Sequence, residues 1–128
     1  MQFIDNKQFL EHALKIVRKS GNGPEFGVEN LAIALGISKE QLLWRFKSST
    51  GMPPWAFIRN YRLESSIDLL KKRDVSVTDV SSLAGFRNPS YFSRCFKRTF
   101  GCTPSEYRRR QWFLTEINPV QKTIKLSN

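Results

Sequence analysis

"GFRNPSYFSRCFKRTFG", residues 85–101, decides how the chain folds. It opens and closes on glycine, places Asn-Pro at a turn, and then alternates bulky aromatics with Arg and Lys. Asn88 followed by Pro89 supplies a helix cap and then a first-turn proline whose φ is already set for the helix. Around that helix, at about 100° per residue, Phe92, Cys95, Phe96 and Thr99 share one side. Ser90, Arg94 and Lys97 lie opposite, flanked by Tyr91, Ser93 and Arg98. One face is suited to burial and the other to an anion.

The same unit occurs twice. Residues 26–59 align with residues 75–109 once a single residue is inserted near the middle. Gly27-Val28-Glu29-Asn30-Leu31 lies over Ser76-Val77-Thr78-Asp79-Val80. Leu42, Phe46, Lys47, Gly51, Pro54 and Phe57 lie over Phe92, Phe96, Lys97, Gly101, Pro104 and Tyr107. Ser76, with Asp79 three positions on, predicts a helix that ends at Gly85, and Gly27 and Gly36 bracket its counterpart. Ser38 and Gln41 form a capping box that opens the first copy of the cationic helix. That helix runs to about Ser49, or Thr99 in the second copy, and stops at Gly51 or Gly101. A further helix follows, opened by Pro54 or by the capping box Thr103-Pro104-Ser105-Glu106. In the first copy Leu42, Phe46 and Ser49 are predicted inward, and Glu40, Trp44 and Lys47 outward with Leu43 alongside. Two helices joined by a short glycine-containing turn make a helix-turn-helix unit.

The remaining segments extend an all-α plan of about seven helices. Phe9, Leu10, Ala13, Leu14 and Val17 form one stripe, which predicts an N-terminal helix over the first unit. From Pro54 to about Lys72, the positions of Phe57, Ile58, Tyr61, Leu63, Leu69 and Leu70 predict a long helix with a core at each end. The expected layout is residues 1–52 for the N-terminal helix and first unit, 53–72 for the linker helix, 73–113 for the second unit and 114–128 for a tail. That tail holds a proline, scattered β-formers and no helical stripe, so it is expected to be loose.

Composition narrows the function. The 128 residues are 40% hydrophobic, with 3 Trp, 3 Tyr and 10 Phe, which is enough to fold. A balance of 21 Lys and Arg against 11 Asp and Glu leaves +10, a field that attracts a polyanion such as nucleic acid or an anionic membrane surface. No stretch approaches the roughly 18 apolar residues of a membrane span. The start "MQFIDNKQFLEH" carries acids where a signal peptide would be apolar, so the protein is expected in the cytoplasm. Cys95 and Cys102 lack the neighbouring ligands of a zinc site and read as small apolar fillers, so no metal or other cofactor is called for. A lone histidine, His12, and singly scattered acids offer no catalytic constellation, so an enzyme is not expected. Residues 87–110 hold seven cations against Glu106, a net +6, whereas residues 38–50 hold three against Glu40, a net +2. The second unit therefore has the stronger attraction for an anion.

Taken together, "NLAIALGISKEQLLWRFKSSTGMPPWAFIRNYRLESSIDLL" and "VTDVSSLAGFRNPSYFSRCFKRTFGCTPSEYRR" resemble the DNA-binding domain of the AraC/XylS family of bacterial transcription regulators. The upstream "FLEHALKIVRKS" is similar to the family's leading helix, especially in output domains fused to sensors. The resemblance implies a bilobed all-α domain with two helix-turn-helix units on one long helix. It implies recognition of a bipartite site in double-stranded DNA, and recruitment or obstruction of RNA polymerase. The chain then reads either as the terminal piece of a larger sensor or as a small stand-alone regulator. Base-reading positions carry over onto Glu40, Leu43, Trp44 and Lys47, and onto Arg87, Ser90, Tyr91 and Arg94. Phosphate contacts are expected from Lys39, Arg45, Lys47, Lys97, Arg98 and Arg108. Trp44 has two readings: it meets thymine methyls or a sugar edge, or it folds back over the linker helix and leaves Arg45 or Lys47 to phosphate. The competing function is a basic helical module that binds an anionic membrane or a protein partner through Leu43 and Trp44.

Overall fold

The computed structural model describes residues 5–117, which form seven helices and no strand. Caps set where most of them begin. Helix α1 (Asn6–Ser20) starts where Gln8 N donates to Asp5 Oδ1 at 2.8 Å. Helix α2 (Val28–Leu35) starts where Gly27 N donates to Asn30 Oδ1 at 2.9 Å. At α3 (Lys39–Thr50), Gln41 N donates to Ser38 Oγ and Ser38 N to Gln41 Oε1, both at 3.1 Å. Helix α4 (Pro54–Leu70) opens on proline, and α5 (Val77–Ala84) starts where Asp79 N donates to Ser76 Oγ at 3.0 Å. At α6 (Pro89–Phe100), Asn88 Oδ1 accepts from Ser90 N at 2.8 Å and Tyr91 N at 3.1 Å. Helix α7 (Pro104–Ile117) opens on the Thr103/Glu106 box, with bonds of 3.0 and 3.2 Å. Each cap satisfies backbone N–H groups that have no partner inside the helix.

Two cores form. The first gathers Phe9, Ala13 and Val17 of α1, Leu31 and Leu35 of α2, Leu42 and Phe46 of α3, and Ile58 of α4. The second gathers Leu63 and Leu70 of α4, Val80 and Ala84 of α5, Phe86, and Phe92, Cys95 and Phe96 of α6. Helix α4 belongs to both. Edge-on aromatic pairs tighten each core, Phe9 on Phe46 at 5.5 Å and Phe92 on Phe96 at 5.7 Å between ring centres. Each fully buried phenylalanine contributes about 1.5–3 kcal/mol by leaving water. None of the described helices is long and apolar enough to cross a membrane.

Two expectations are corrected at the edges of this frame. Thr99 is exposed, because the last turn of α6 runs past the core, and Phe100, its ring centre 4.6 Å from that of Phe96, is exposed as well. The tail was expected from residue 114, yet α7 carries the chain on to Ile117. The rest of the expected tail lies outside the described residues.

A clamp joins the two lobes. Arg62, midway along α4, donates from Nε to Gly21 O at 2.7 Å, and from Nη2 to Gly23 O at 3.0 Å and Phe26 O at 2.7 Å. All three carbonyls belong to the segment between α1 and α2. Asn22 of that segment reaches the other lobe, donating from Nδ2 to Ala84 O at 2.9 Å. Gly85 packs against the same guanidinium. Its φ of +112° favours glycine, and a Cβ there would lie 2.6 Å from Arg62 Nε. Burial, and then repulsion from Arg87, lower the pKa of Arg62.

Candidate nucleic-acid interface

The two cationic helices present their outward faces as the pattern requires, because Phe92 and Phe96 anchor α6 and Leu42 and Phe46 anchor α3. On α6, Ser90, Arg94, Lys97 and Arg98 are exposed, and Arg94 has no ion pair or hydrogen bond among the described residues. A guanidinium presented in this way offers five donors in a planar fork. On α3, Glu40, Leu43, Trp44 and Lys47 are exposed, with Trp44 at 69% and Leu43 at 46% of full accessibility. Trp44 therefore does not fold back over the linker helix. Lys39, at the start of α3, pairs at 3.1 Å with Glu29 of α2, and both side chains are well solvated.

Arg87 and Tyr91 sit at the seam between the lobes. Arg87 Nη2 lies 2.9 Å from Glu25 Oε2, and its Nε donates to Pro24 O at 3.3 Å. A base contact by Arg87 requires exchange of that pairing. Tyr91 packs its ring against Phe86 with centres 6.2 Å apart. Its hydroxyl is pushed above the ordinary tyrosine range, chiefly by a hydrogen bond with Cys95 and then by burial, against the pull of Arg59.

One expected phosphate contact is corrected. Arg108 is 8% accessible and donates from Nε to Leu70 O at 2.9 Å, with its Cζ 5.3 Å from the Trp112 ring centre. It thereby satisfies one of the carbonyls that the end of α4 leaves unpaired. Arg45 is half-buried, with its Cζ 4.7 Å from the centre of the Phe9 ring, a cation–π contact inside the first lobe.

Sequence reasoning missed Arg59 and Arg62. Trp55 is exposed, with the Arg59 Cζ 5.0 Å from its ring centre. The partners of Arg62 lie 36–41 residues away, a distance at which periodicity carries no signal. The start of α7 adds a fixed negative charge. There the Thr103 backbone N–H, followed by its hydroxyl, holds the Glu106 carboxyl below the usual carboxylate range. Among the described residues, no group of three or more His, Cys, Asp or Glu side chains comes together to hold a metal ion.

Comparison with known proteins sets this geometry in a family. Residues 31–110 match the family described as a helix-turn-helix domain. The transcriptional activator RhaR of Pectobacterium atrosepticum is 40% identical over 109 residues, covering 85% of this chain and 38% of that protein. Histidine kinase P4 of Formosa agariphila is 34% identical over 105 residues, covering 82% of this chain and 8% of the kinase. The chain thus spans well under half the length of these curated relatives. Among solved structures, the DNA-binding domain of AdpA, crystallised with a target DNA, superposes with a TM-score of 0.72 at 28% identity, covering 84% of this chain and 94% of that one. A probable AraC family transcriptional regulator of Rhodopseudomonas palustris gives 0.70 at 28% identity, covering 78% and 94%. The duplicated capped helices, the shared linker helix and these matches agree: the chain belongs to the AraC-type helix-turn-helix family of DNA-binding domains.

Proposed function

We propose that the chain recognises a bipartite site in double-stranded DNA, with α3 and α6 entering successive major grooves and α4 fixing their spacing. The observation that carries this reading is the uncommitted Arg94 on α6, held outward by Phe92 and Phe96 on the opposite face. An α-helix fits the major groove, where Arg gives guanine two parallel hydrogen bonds. Arg94 is the principal base reader, with Ser90 and Tyr91 beside it. Arg87 joins them once released from Glu25. In the first lobe Glu40, Leu43 and Trp44 face base edges and sugars, and Trp44 meets thymine methyls. Lys39, Lys47, Lys97 and Arg98 meet phosphates, which set register without reading sequence. The relatives' names support a role in transcription, so contact with RNA polymerase, control by a sensor domain and a cytoplasmic location belong to the same reading.

Selection of bound sequences from a randomised duplex pool tests it. The expected result is a motif of two blocks separated by about one helical turn. If six to ten phosphates are neutralised, affinity falls about 10³- to 10⁵-fold between 50 and 200 mM salt. Equal affinity for selected and random duplexes would refute sequence recognition. Binding to anionic vesicles that survives excess duplex would favour a membrane partner instead.

A further inference from the structure

Between α4 and the start of α6 lies a cleft of about 320 Å³ whose lining includes Pro24, Trp55, Arg59, Arg62, Arg87 and Tyr91. Three arginines converge there, and the ion pairs of the described residues give them one carboxylate, Glu25. Their commitments differ. Arg62 spends its donors on three backbone carbonyls. Arg87 holds Glu25 at 2.9 Å, so the rim of the cleft already accommodates an oxyanion. Arg59 remains. Its Nη2 reaches Asn60 Oδ1 only at 3.4 Å, its Cζ lies 5.0 Å from the Trp55 ring centre, and it has no carboxylate partner among the described residues. The guanidinium rests beside the Trp55 ring and shares a hydrogen bond with the Tyr91 hydroxyl, and a planar fork of five donors keeps others for phosphate.

The position of the cleft indicates the source of that phosphate. Trp55 stands four residues beyond Gly51, where α3 ends, and Arg87 and Tyr91 flank the start of α6. A duplex engaged by both helices must carry its backbone over the ground between them. The volume lies at the lower limit of small-ligand pockets, about 300 Å³, and three arginines line it.

We propose that this cleft binds a backbone phosphodiester of the DNA between the two grooves, with Arg59 donating to the phosphate and Trp55 against the adjoining deoxyribose. The proposal rests on the two-groove reading above. It adds a contact that gauges the separation of the half-sites, because only a duplex with the right spacing brings a phosphate to Arg59.

The test uses the full chain and a pool-selected duplex carrying single neutral methylphosphonates at each linking position. One or two adjacent substitutions should weaken the wild-type chain roughly tenfold, in the range of a hydrogen bond to a charged group. Arg59→Ala should weaken binding to the unmodified duplex by a similar factor and be indifferent to those same methylphosphonates. Its slope of log affinity against log salt should fall by about 0.9, the value for one phosphate on duplex DNA. Arg59→Lys, which keeps the charge, should retain the slope and lose part of the affinity. Unchanged circular dichroism and thermal midpoints for both variants would separate these effects from misfolding. Additive losses from Arg59→Ala and the methylphosphonates, or no sensitive linking phosphate, would overturn the proposal while a selected two-block motif left the two-groove reading standing. Absence of such a motif would overturn both. Stabilisation by millimolar inorganic pyrophosphate that needs Arg59, without any methylphosphonate effect, would reassign the cleft to a free anion and overturn the assignment to DNA.

Discussion

Gly85→Ala probes the clamp that holds the lobes together. At φ +112° a non-glycine residue carries backbone strain of about 1–2 kcal/mol. The added Cβ would also lie 2.6 Å from Arg62 Nε, 3.0 Å from Arg62 Cδ and 3.0 Å from the Asn22 carbonyl oxygen. Neither neighbour is free to retreat, since Arg62 is pinned by three carbonyls and Asn22 O is backbone. Displacing Arg62 far enough to lose one of its charged hydrogen bonds adds about 1.5–3 kcal/mol, for a total of about 2.5–5 kcal/mol. Gly51→Ala is the matched control: its φ is +76°, and a Cβ there would meet nothing within 4 Å. That variant should show the strain alone, about 1–2 kcal/mol. The difference, about 1.5–3 kcal/mol, isolates the clamp. In a chain of this size it corresponds to a gap of roughly 10 °C between the two thermal midpoints. Urea unfolding followed by circular dichroism measures both variants under one protocol. Equal losses would show that the Arg62 clamp adds nothing to stability and that the lobes are fixed by α4 alone.

Three further outcomes are expected. Arg94→Ala should reduce specific affinity by about 1–3 kcal/mol and relax selectivity at one base position, whereas Lys97→Ala should weaken all duplexes alike; identical losses for Arg94→Ala on specific and random duplexes would remove Arg94 from base reading. Arg108→Ala should lower the urea midpoint by exposing the Leu70 carbonyl and the Trp112 ring, and leave the salt slope of DNA binding unchanged; a slope lowered by about one would restore Arg108 as a phosphate ligand. Because the folded pKa of Glu106 is depressed, its contribution to the start of α7 is complete above its unfolded value, about 4.3, and is lost as pH falls through the folded value. Glu106→Gln should therefore flatten that part of the acid transition, and an unaltered acid profile would show that the capping box has no linked proton.

What the sequence disclosed was the local chemistry. Ser38, Ser76, Asn88 and Thr103 cap the helices they were expected to cap, and the repeat placed the phenylalanine stripes of both reading helices, because caps and 3.6-residue periodicity act within a few positions. What escaped was set by contacts between distant segments. Arg45 and Arg108 look like any basic surface residue in the sequence, yet their long apolar stems let each lie along the body of its lobe and end on an aromatic ring. Nothing near Arg87 announces Glu25, 62 residues earlier. Arg59 falls within a segment read only as a strut, so its outward face went unremarked. Thr99 was misplaced because a helical wheel assumes that the core extends as far as the helix does.

The residue at which α4 passes from one core to the other has a consequence for re-engineering. Ile58 packs in the first lobe and Leu63 in the second, less than two turns further on. No cut between them leaves two self-sufficient halves, so exchanging an entire lobe with a relative would sever packing on both sides of the splice. The solvent faces of α3 and α6 touch neither core. Grafting a new address therefore amounts to rewriting a few exposed positions per reading helix, with the beam left as it is.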